Sequence, residues 1–202
     1  MYRNMANESI YDIFKRYQGN GVNCHEGSDK GTMHTYLPVY ESLFSSKRHD
    51  KIRMLEIGVC SGGSLRAWTE YFTHPDAEIV GVDISTNMLS WDLTVDPRMK
   101  FLIADATTEA TAANLGNGWD IVVDDGSHML EHQLATLRLY GPRIRIPEGI
   151  IVIEDILTTE NIEPLKAFGE YMGMVVEVFD HRPESKMDAD IMMTFRWPEK
   201  MN

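Results

Sequence analysis

Cysteine is nearly absent from this chain: Cys24 and Cys60 are the only two in 202 residues. Two distant thiols do not make a disulfide framework in a protein of this size, so a reduced, cytoplasmic setting is expected. Long apolar runs are missing as well. No stretch approaches the roughly 18 apolar residues that a membrane span requires, and Met1 to Ser9 is polar, without the apolar segment of a signal peptide. Basic clusters are also lacking, and 31 acidic residues outweigh 19 basic ones for a net charge of −12. Nucleic-acid binders need grouped Lys and Arg to displace counterions from phosphate, so nucleic acid is not an expected partner. The same acidity disfavours an anionic membrane surface. There are no internal repeats and no low-complexity tracts. The remainder, 43% apolar and 25% charged, is the composition of an ordinary globular chain with one core.

From Arg53 onward, apolar runs and amphipathic stretches alternate at the spacing of βα units. Strands are expected at Met54–Ile57, Glu78–Val82, Lys100–Ile103, Ile121–Val123 and Ile150–Ile153. Helices are expected to follow at Gly63–Phe72, Thr86–Leu93, Thr107–Asn114, Leu130–Tyr140 and Glu160–Tyr171. Two last strands, Met174–Phe179 and Ile191–Phe195, have only a polar link with Pro183 between them and should pair antiparallel. The result is an α/β sandwich around a seven-stranded, mostly parallel sheet with a C-terminal antiparallel hairpin. Ahead of it, residues 1–50 form an N-terminal segment with short helices near Ile10–Tyr17 and Tyr36–Phe44, and residues 51–202 form the single core.

Two acidic clusters stand directly after apolar runs. Ile121-Val-Val123 leads into Asp124-Asp125-Gly126-Ser127-His128, and Ile150-Ile-Val-Ile153 leads into Glu154-Asp155. Ligands of open α/β sheets bind beyond the carboxyl ends of the strands, so both clusters belong to one crevice. Carboxylates that close together raise one another's pKa, a conflict that a hard divalent cation resolves through oxygen ligands. Asp125, Glu154 and Asp155 are therefore the candidate ligands of Mg²⁺, or equally Mn²⁺. His128, with an unperturbed pKa near 6.5, is the candidate general base for a hydroxyl bound beside the metal. One of Asp124, Asp125 and Ser127 is expected to N-cap the following helix. His132 reads as a residue of the helix surface.

The first βα turn, Gly58-Val-Cys-Ser61-Gly62-Gly-Ser64, supplies glycines where a backbone must approach a ligand. Asp83 closes the second strand, placed to accept ribose hydroxyls, and Asp105 follows the third, within reach of an adenine amino group. Asp124 ends the fourth strand toward the same ligand. Gly58-x-x-x-Gly62-Gly63 is not the G-x-G-x-x-G spacing of a nicotinamide site. Glu56, one residue before the strand ends, suits a cationic amino group. S-adenosylmethionine (SAM) carries that amine and is favoured over NAD.

With these residues in place, the sequence resembles the class I SAM-dependent methyltransferases, in particular the metal-dependent sugar O-methyltransferases of macrolide biosynthesis. The resemblance runs from Ser28-Asp-Lys-Gly-Thr32, His34, Tyr36 and Tyr40-Glu41, through Leu55-Glu-Ile-Gly-Val59 and Gly81-Val-Asp-Ile84, to Asp124-Asp-Gly-Ser-His128 and Ile153-Glu-Asp-Ile156. It implies a Rossmann-like fold, metal ligation by Asp125, Glu154 and Asp155, and base catalysis by His128. It also implies that the N-terminal segment packs over the cofactor, with Lys30, Tyr36 and Tyr40 in a lid. The expected activity is methyl transfer from SAM to a hydroxyl of a small, sugar-like or polyol acceptor. A metal-dependent hydrolase, a hydroxylase-like enzyme and a non-catalytic SAM-binding module stay open on the same scaffold, as does assembly into a homo-oligomer.

Overall fold

The structure is a computed structural model that describes residues 8–18, 26–183 and 190–199. Its seven strands are β1 (Arg53–Ile57), β2 (Glu78–Asp83), β3 (Met99–Ile103), β4 (Ile121–Asp124), β5 (Ile150–Ile153), β6 (Val175–Asp180) and β7 (Ile191–Arg196). They form one sheet in the order β3-β2-β1-β4-β5-β7-β6. The first five are parallel, and β7 runs antiparallel to both of its neighbours. This is the Rossmann-like class I methyltransferase topology expected from the sequence, with the late hairpin inserted so that β7 lies beside β5. Reversal of strand order at β1 and β4 opens a crevice beyond their carboxyl ends, where ligands of such sheets bind.

Because side chains alternate across a strand, each apolar run feeds two cores. Met54, Ile79, Ile121, Val123, Ile150, Val152 and Met192 face one side, and they pack with α1 (Ile10–Lys15), α2 (Leu37–Phe44) and α3 (Gly63–Tyr71). Leu55, Val80, Val82, Val122, Ile151, Ile153 and Met193 face the other. Helices α5 (Leu130–Tyr140) and α6 (Ile162–Tyr171) cover that side, with α4 (Glu109–Leu115) beside them. Trp68 of α3 is fully buried and edges against Phe14, Tyr40, Phe44 and Tyr71, which ties the N-terminal helices to the sheet.

One expected element does not form. Thr86–Leu93 is an irregular connection and not a helix. The amides of Ser90 and Trp91 both donate to the Ser61 carbonyl, at 3.1 and 3.0 Å, which pins this stretch against the first βα turn. Its inward residues are Leu89, Trp91 and Leu93, an alternating spacing that suits an extended chain and not a helical face. No helix of the described residues is long and apolar enough to cross a membrane.

Candidate active site

Strand register delivers three carboxylates to one place. Glu56 pairs with Val123, and Val123 with Val152, so Glu56, Asp125 and Glu154 continue the face that Met54, Val123 and Val152 present to the N-terminal helices. Lys30 is fully buried among them. Its Nζ donates to Asp125 Oδ2 at 2.6 Å and to Glu154 Oε2 at 2.8 Å, and lies 4.0 Å from Glu56 Oε1. Burial works against the lysine's charge, but the carboxylates outweigh it and hold the ammonium well above its ordinary range. Burial pushes Glu154 up to about 8 in spite of Lys30. Asp125, for which burial acts in the same sense, is held down at about 2 by Lys30 and His128. The Tyr40 hydroxyl donates to the other oxygen of Glu154.

A second set of contacts surrounds Asp155. Tyr36 donates its hydroxyl to Asp155 Oδ1 at 2.6 Å, and His34 Nδ1 lies 3.3 Å from the same oxygen. His34 is held in turn by the fully buried Asp190, 3.2 Å from Nδ1, which also accepts from the amide and hydroxyl of Thr35. Asp155 is thereby fixed with Oδ2 turned toward His128. Asp125, His128 and Asp155 each offer a ligand atom, all within 4.8 Å of one another. His128 Nε2 is 3.4 Å from Asp125 Oδ1 and 3.7 Å from Asp155 Oδ2, yet is buried without a hydrogen-bond partner among the described residues. Burial opposes the imidazolium, but Asp125 and then Asp155 and Glu154 push the histidine up to about 9. Both His128 and Asp155 adopt positive φ, 59° and 51°, a strained conformation for residues with a side chain. Glu154, expected beside Asp125 and Asp155 as a third ligand, turns to Lys30 and Tyr40 and is not in that trio.

None of Asp124, Asp125 and Ser127 caps α5: its N-cap is Met129, with no side-chain cap. Ser127 Oγ instead lies 2.6 Å from His132 Nδ1, which occupies this serine just outside the helix. Burial lifts the Asp124 carboxyl to about 6, and among the described residues its Oδ2 and Glu56 Oε2 are both buried without a hydrogen-bond partner.

The first βα turn lies against this centre. Gly58 (φ 84°) runs so close to the β4 end that a Cβ there would sit 2.0 Å from the Asp125 carbonyl oxygen, so no other residue is tolerated. Gly62 caps α3, Ser61 and Ser64 are buried beside it, and Asp83 Oδ2 accepts from the Val59 and Cys60 amides at 2.8 and 3.0 Å. Asp105 Oδ1 accepts from the Thr107 amide and hydroxyl in an exposed turn. Sequence reasoning missed Asp190, whose carboxylate reaches His34 and Thr35 more than 150 positions away, and two exposed isoleucines. Ile84 and Ile103 stand 74% and 60% exposed at the ends of adjacent strands, beside Asp83 and Asp105.

A family model described as a methyltransferase domain matches residues 55–156, just over half of the chain, from β1 to the acidic pair after β5. The chain belongs to this methyltransferase family. Among relatives of the methyltransferase domain is the 8-demethyl-8-alpha-L-rhamnosyl tetracenomycin-C 2'-O-methyltransferase of Streptomyces olivaceus. It is 34% identical over 149 residues, 69% of this chain and 38% of the relative. The mycinamicin VI 2''-O-methyltransferase of Micromonospora griseorubida is 28% identical over 176 residues, 79% of this chain and 42% of the relative. The chain thus spans about two fifths of the length of these curated relatives. Among solved structures, the MycE methyltransferase in complex with Mg, S-adenosylhomocysteine (SAH) and mycinamycin VI superposes with a TM-score of 0.68 at 21% identity. That match covers 96% of this chain and 56% of MycE.

Proposed function

We propose that this chain is a SAM-dependent O-methyltransferase that transfers a methyl group to a hydroxyl of a sugar-like acceptor with the help of Mg²⁺ or Mn²⁺. The observation that carries the reading is the convergence of Asp125, Asp155 and His128 beside the glycine turn. The activities for which the relatives are named, methyl transfer to oxygen in each case, support the same chemistry.

The residues fit a divalent cation. Asp125 and Asp155 offer hard oxygen donors, and Glu154 stands next to them on the other side of Lys30. A bound ion would lower the acceptor hydroxyl's proton affinity and offset the pull of the two aspartates on His128. His128 Nε2, without a hydrogen-bond partner of its own, takes the proton of the acceptor hydroxyl. The oxygen attacks the methyl carbon in line while the carbon–sulfur bond breaks toward sulfur, leaving SAH; alignment is the enzyme's main contribution. Glu56, with its orphaned oxygen, and Lys30 hold the amino-acid end of the cofactor, and Tyr40 closes over them. Gly58, Ser61, Gly62 and Ser64 line its path. Asp83, Asp105 and Asp124 serve its adenosine, with the exposed Ile103 beside Asp83 in the strand register. The N-terminal segment, fastened through Lys30, His34, Tyr36 and Tyr40, forms a fixed cover over the cofactor, and the enzyme works in the reducing cytoplasm.

The test is calorimetric titration with SAH, with Mg²⁺ and again after chelation, followed by transfer of labelled methyl groups to glycosides. Saturable micromolar binding with metal-dependent transfer is expected. Absence of SAH binding in both conditions overturns the reading and leaves metal-dependent hydrolysis as its replacement.

A further inference from the structure

Asp190 is a fully buried carboxylate that the mechanism has not used. A charge so placed is unfavourable unless it is paired, and the pairing here leads to one atom of the acidic centre. Its Oδ1 lies 3.2 Å from His34 Nδ1, and its Oδ2 accepts from the Thr35 amide at 3.3 Å and the Thr35 hydroxyl at 3.0 Å. The same His34 Nδ1 is 3.3 Å from Asp155 Oδ1. A ring nitrogen between two carboxylate oxygens carries the proton, because a carboxylate only accepts. His34 therefore offers one N–H to Asp190 and Asp155 together. Its ring stacks on Tyr36, 5.0 Å between centroids, and Tyr36 gives its hydroxyl to the same Asp155 oxygen.

Both donors to Asp155 Oδ1 are thus fixed by one carboxylate, His34 directly and Tyr36 through the backbone of Thr35 that stands between them. The main chain is held from the same place. The Ile156 amide donates to the Ile191 carbonyl at 3.1 Å, and the His181 amide to the Asp190 carbonyl at 2.9 Å. Asp155 lies between a side-chain grip from residue 190 and a backbone grip from residue 191. Its φ of 51° is a conformation that persists only where the surroundings over-determine it. With Oδ1 engaged by two donors, Oδ2 is the oxygen left toward His128, 3.7 Å from Nε2.

We infer that Asp190 is a positioning residue for the metal centre: through His34 it holds Asp155 so that Oδ2 is the oxygen offered to a divalent cation. The inference rests on the metal-dependent methyltransferase reading above. It adds to that reading a residue of the C-terminal hairpin that acts through another side chain.

The test is the Mn²⁺ affinity of the full chain, read from the electron paramagnetic resonance of free Mn²⁺, with SAH binding followed separately by calorimetry after chelation. Asp190→Asn and His34→Leu should each weaken Mn²⁺ binding about 10–100-fold, the range expected when an outer partner of a metal ligand is lost. His34→Asn is close to leucine in shape but keeps an N–H near the place of Nδ1, and it should recover most of that loss. Combining Asp190→Asn with His34→Leu should weaken binding no more than about threefold beyond the worse single variant, because both remove one contact. SAH affinity should stay within about twofold throughout, as for groups that share no partner. Equal affinities in the His34→Asn and His34→Leu proteins, or losses that multiply in full in the combined variant, overturn the positioning role. If Asp190→Asn does not fold, the two His34 variants decide the matter by themselves. Mn²⁺ binding that no variant changes overturns the role of Asp190 and leaves the methyltransferase reading intact. A parent chain that binds SAH but no Mn²⁺ overturns the metal dependence and the role together. Mn²⁺ binding that follows the expected pattern in a chain that takes no SAH keeps the role and overturns the methyltransferase reading.

Discussion

Lys30 decides whether the acidic pocket can exist at all. Three carboxylates converge on one buried ammonium, and removing the ammonium leaves them uncompensated. Breaking a buried charge set by deleting one partner typically costs about 3–5 kcal/mol. Lys30→Met, which keeps the stem, is expected to lose that much stability in urea unfolding; a loss below about 1 kcal/mol would mean that the carboxylates simply take up protons. His128 makes a different case. Its Nε2 has no hydrogen-bond partner among the described residues but lies beside Asp125 and Asp155, so His128→Gln should cost some stability while leaving SAH binding close to unchanged. Turnover, in contrast, should fall by about 10²–10⁴-fold if it is the base. Equal turnover in the two proteins, measured by methyl transfer, would remove His128 from the chemistry.

Elements with one strong period were legible in the sequence, and those held by distant partners were not. All seven strands lie where continuous or alternating apolar runs placed them; the central ones are buried on both faces, and the edge strands β3 and β6 are half exposed. The same alternation carried an unread message: Glu56, Asp125 and Glu154 share the face of Met54, Val123 and Val152, which turns Glu154 toward Lys30. Thr86–Leu93 contains helix-compatible residues, but two amide bonds to Ser61 outweigh local propensity. The Asp190–His34 contact spans 156 positions and leaves no local trace. Connections between elements set the pH response too. Arg98 ties the start of β3 to α3 through the carbonyls of Thr69 and Phe72, and its hydrogen bond to Asp96 holds that carboxyl below its ordinary range. A folded-state pKa below the unfolded one stabilises the fold above the unfolded value, and that contribution is lost as pH falls through the folded value. Asp96→Asn should therefore cost up to about 1 kcal/mol at neutral pH, with the difference from the parent vanishing as pH falls below the ordinary carboxylate range. A difference independent of pH in acid titrations of unfolding would assign Asp96 a purely hydrogen-bonding role.

Whether the described parts of residues 1–50 act as a detachable cap or as part of the core is a question about the whole molecule, and the apolar packing favours the core. Ile10, Ile13, Phe14, Tyr36, Leu37, Tyr40 and Phe44 are all at most 1% exposed and lie in the same cluster as Met54, Ile121 and Val152 of the sheet. Fully burying a large apolar side chain contributes about 1.5–3 kcal/mol, so these residues together contribute roughly 10–20 kcal/mol. That is comparable with the entire net stability of a domain, about 5–15 kcal/mol. The segment also supplies Lys30, His34, Tyr36 and Tyr40 to the acidic centre, so its loss would strip the carboxylates of their partners as well. A fragment of residues 45–202 is expected to be unfolded or aggregated, and the full chain to unfold in a single transition whether followed by tryptophan fluorescence or far-UV circular dichroism. A fragment with dispersed amide resonances would instead make the cap a separable lid, free to open for the cofactor without disturbing the sheet.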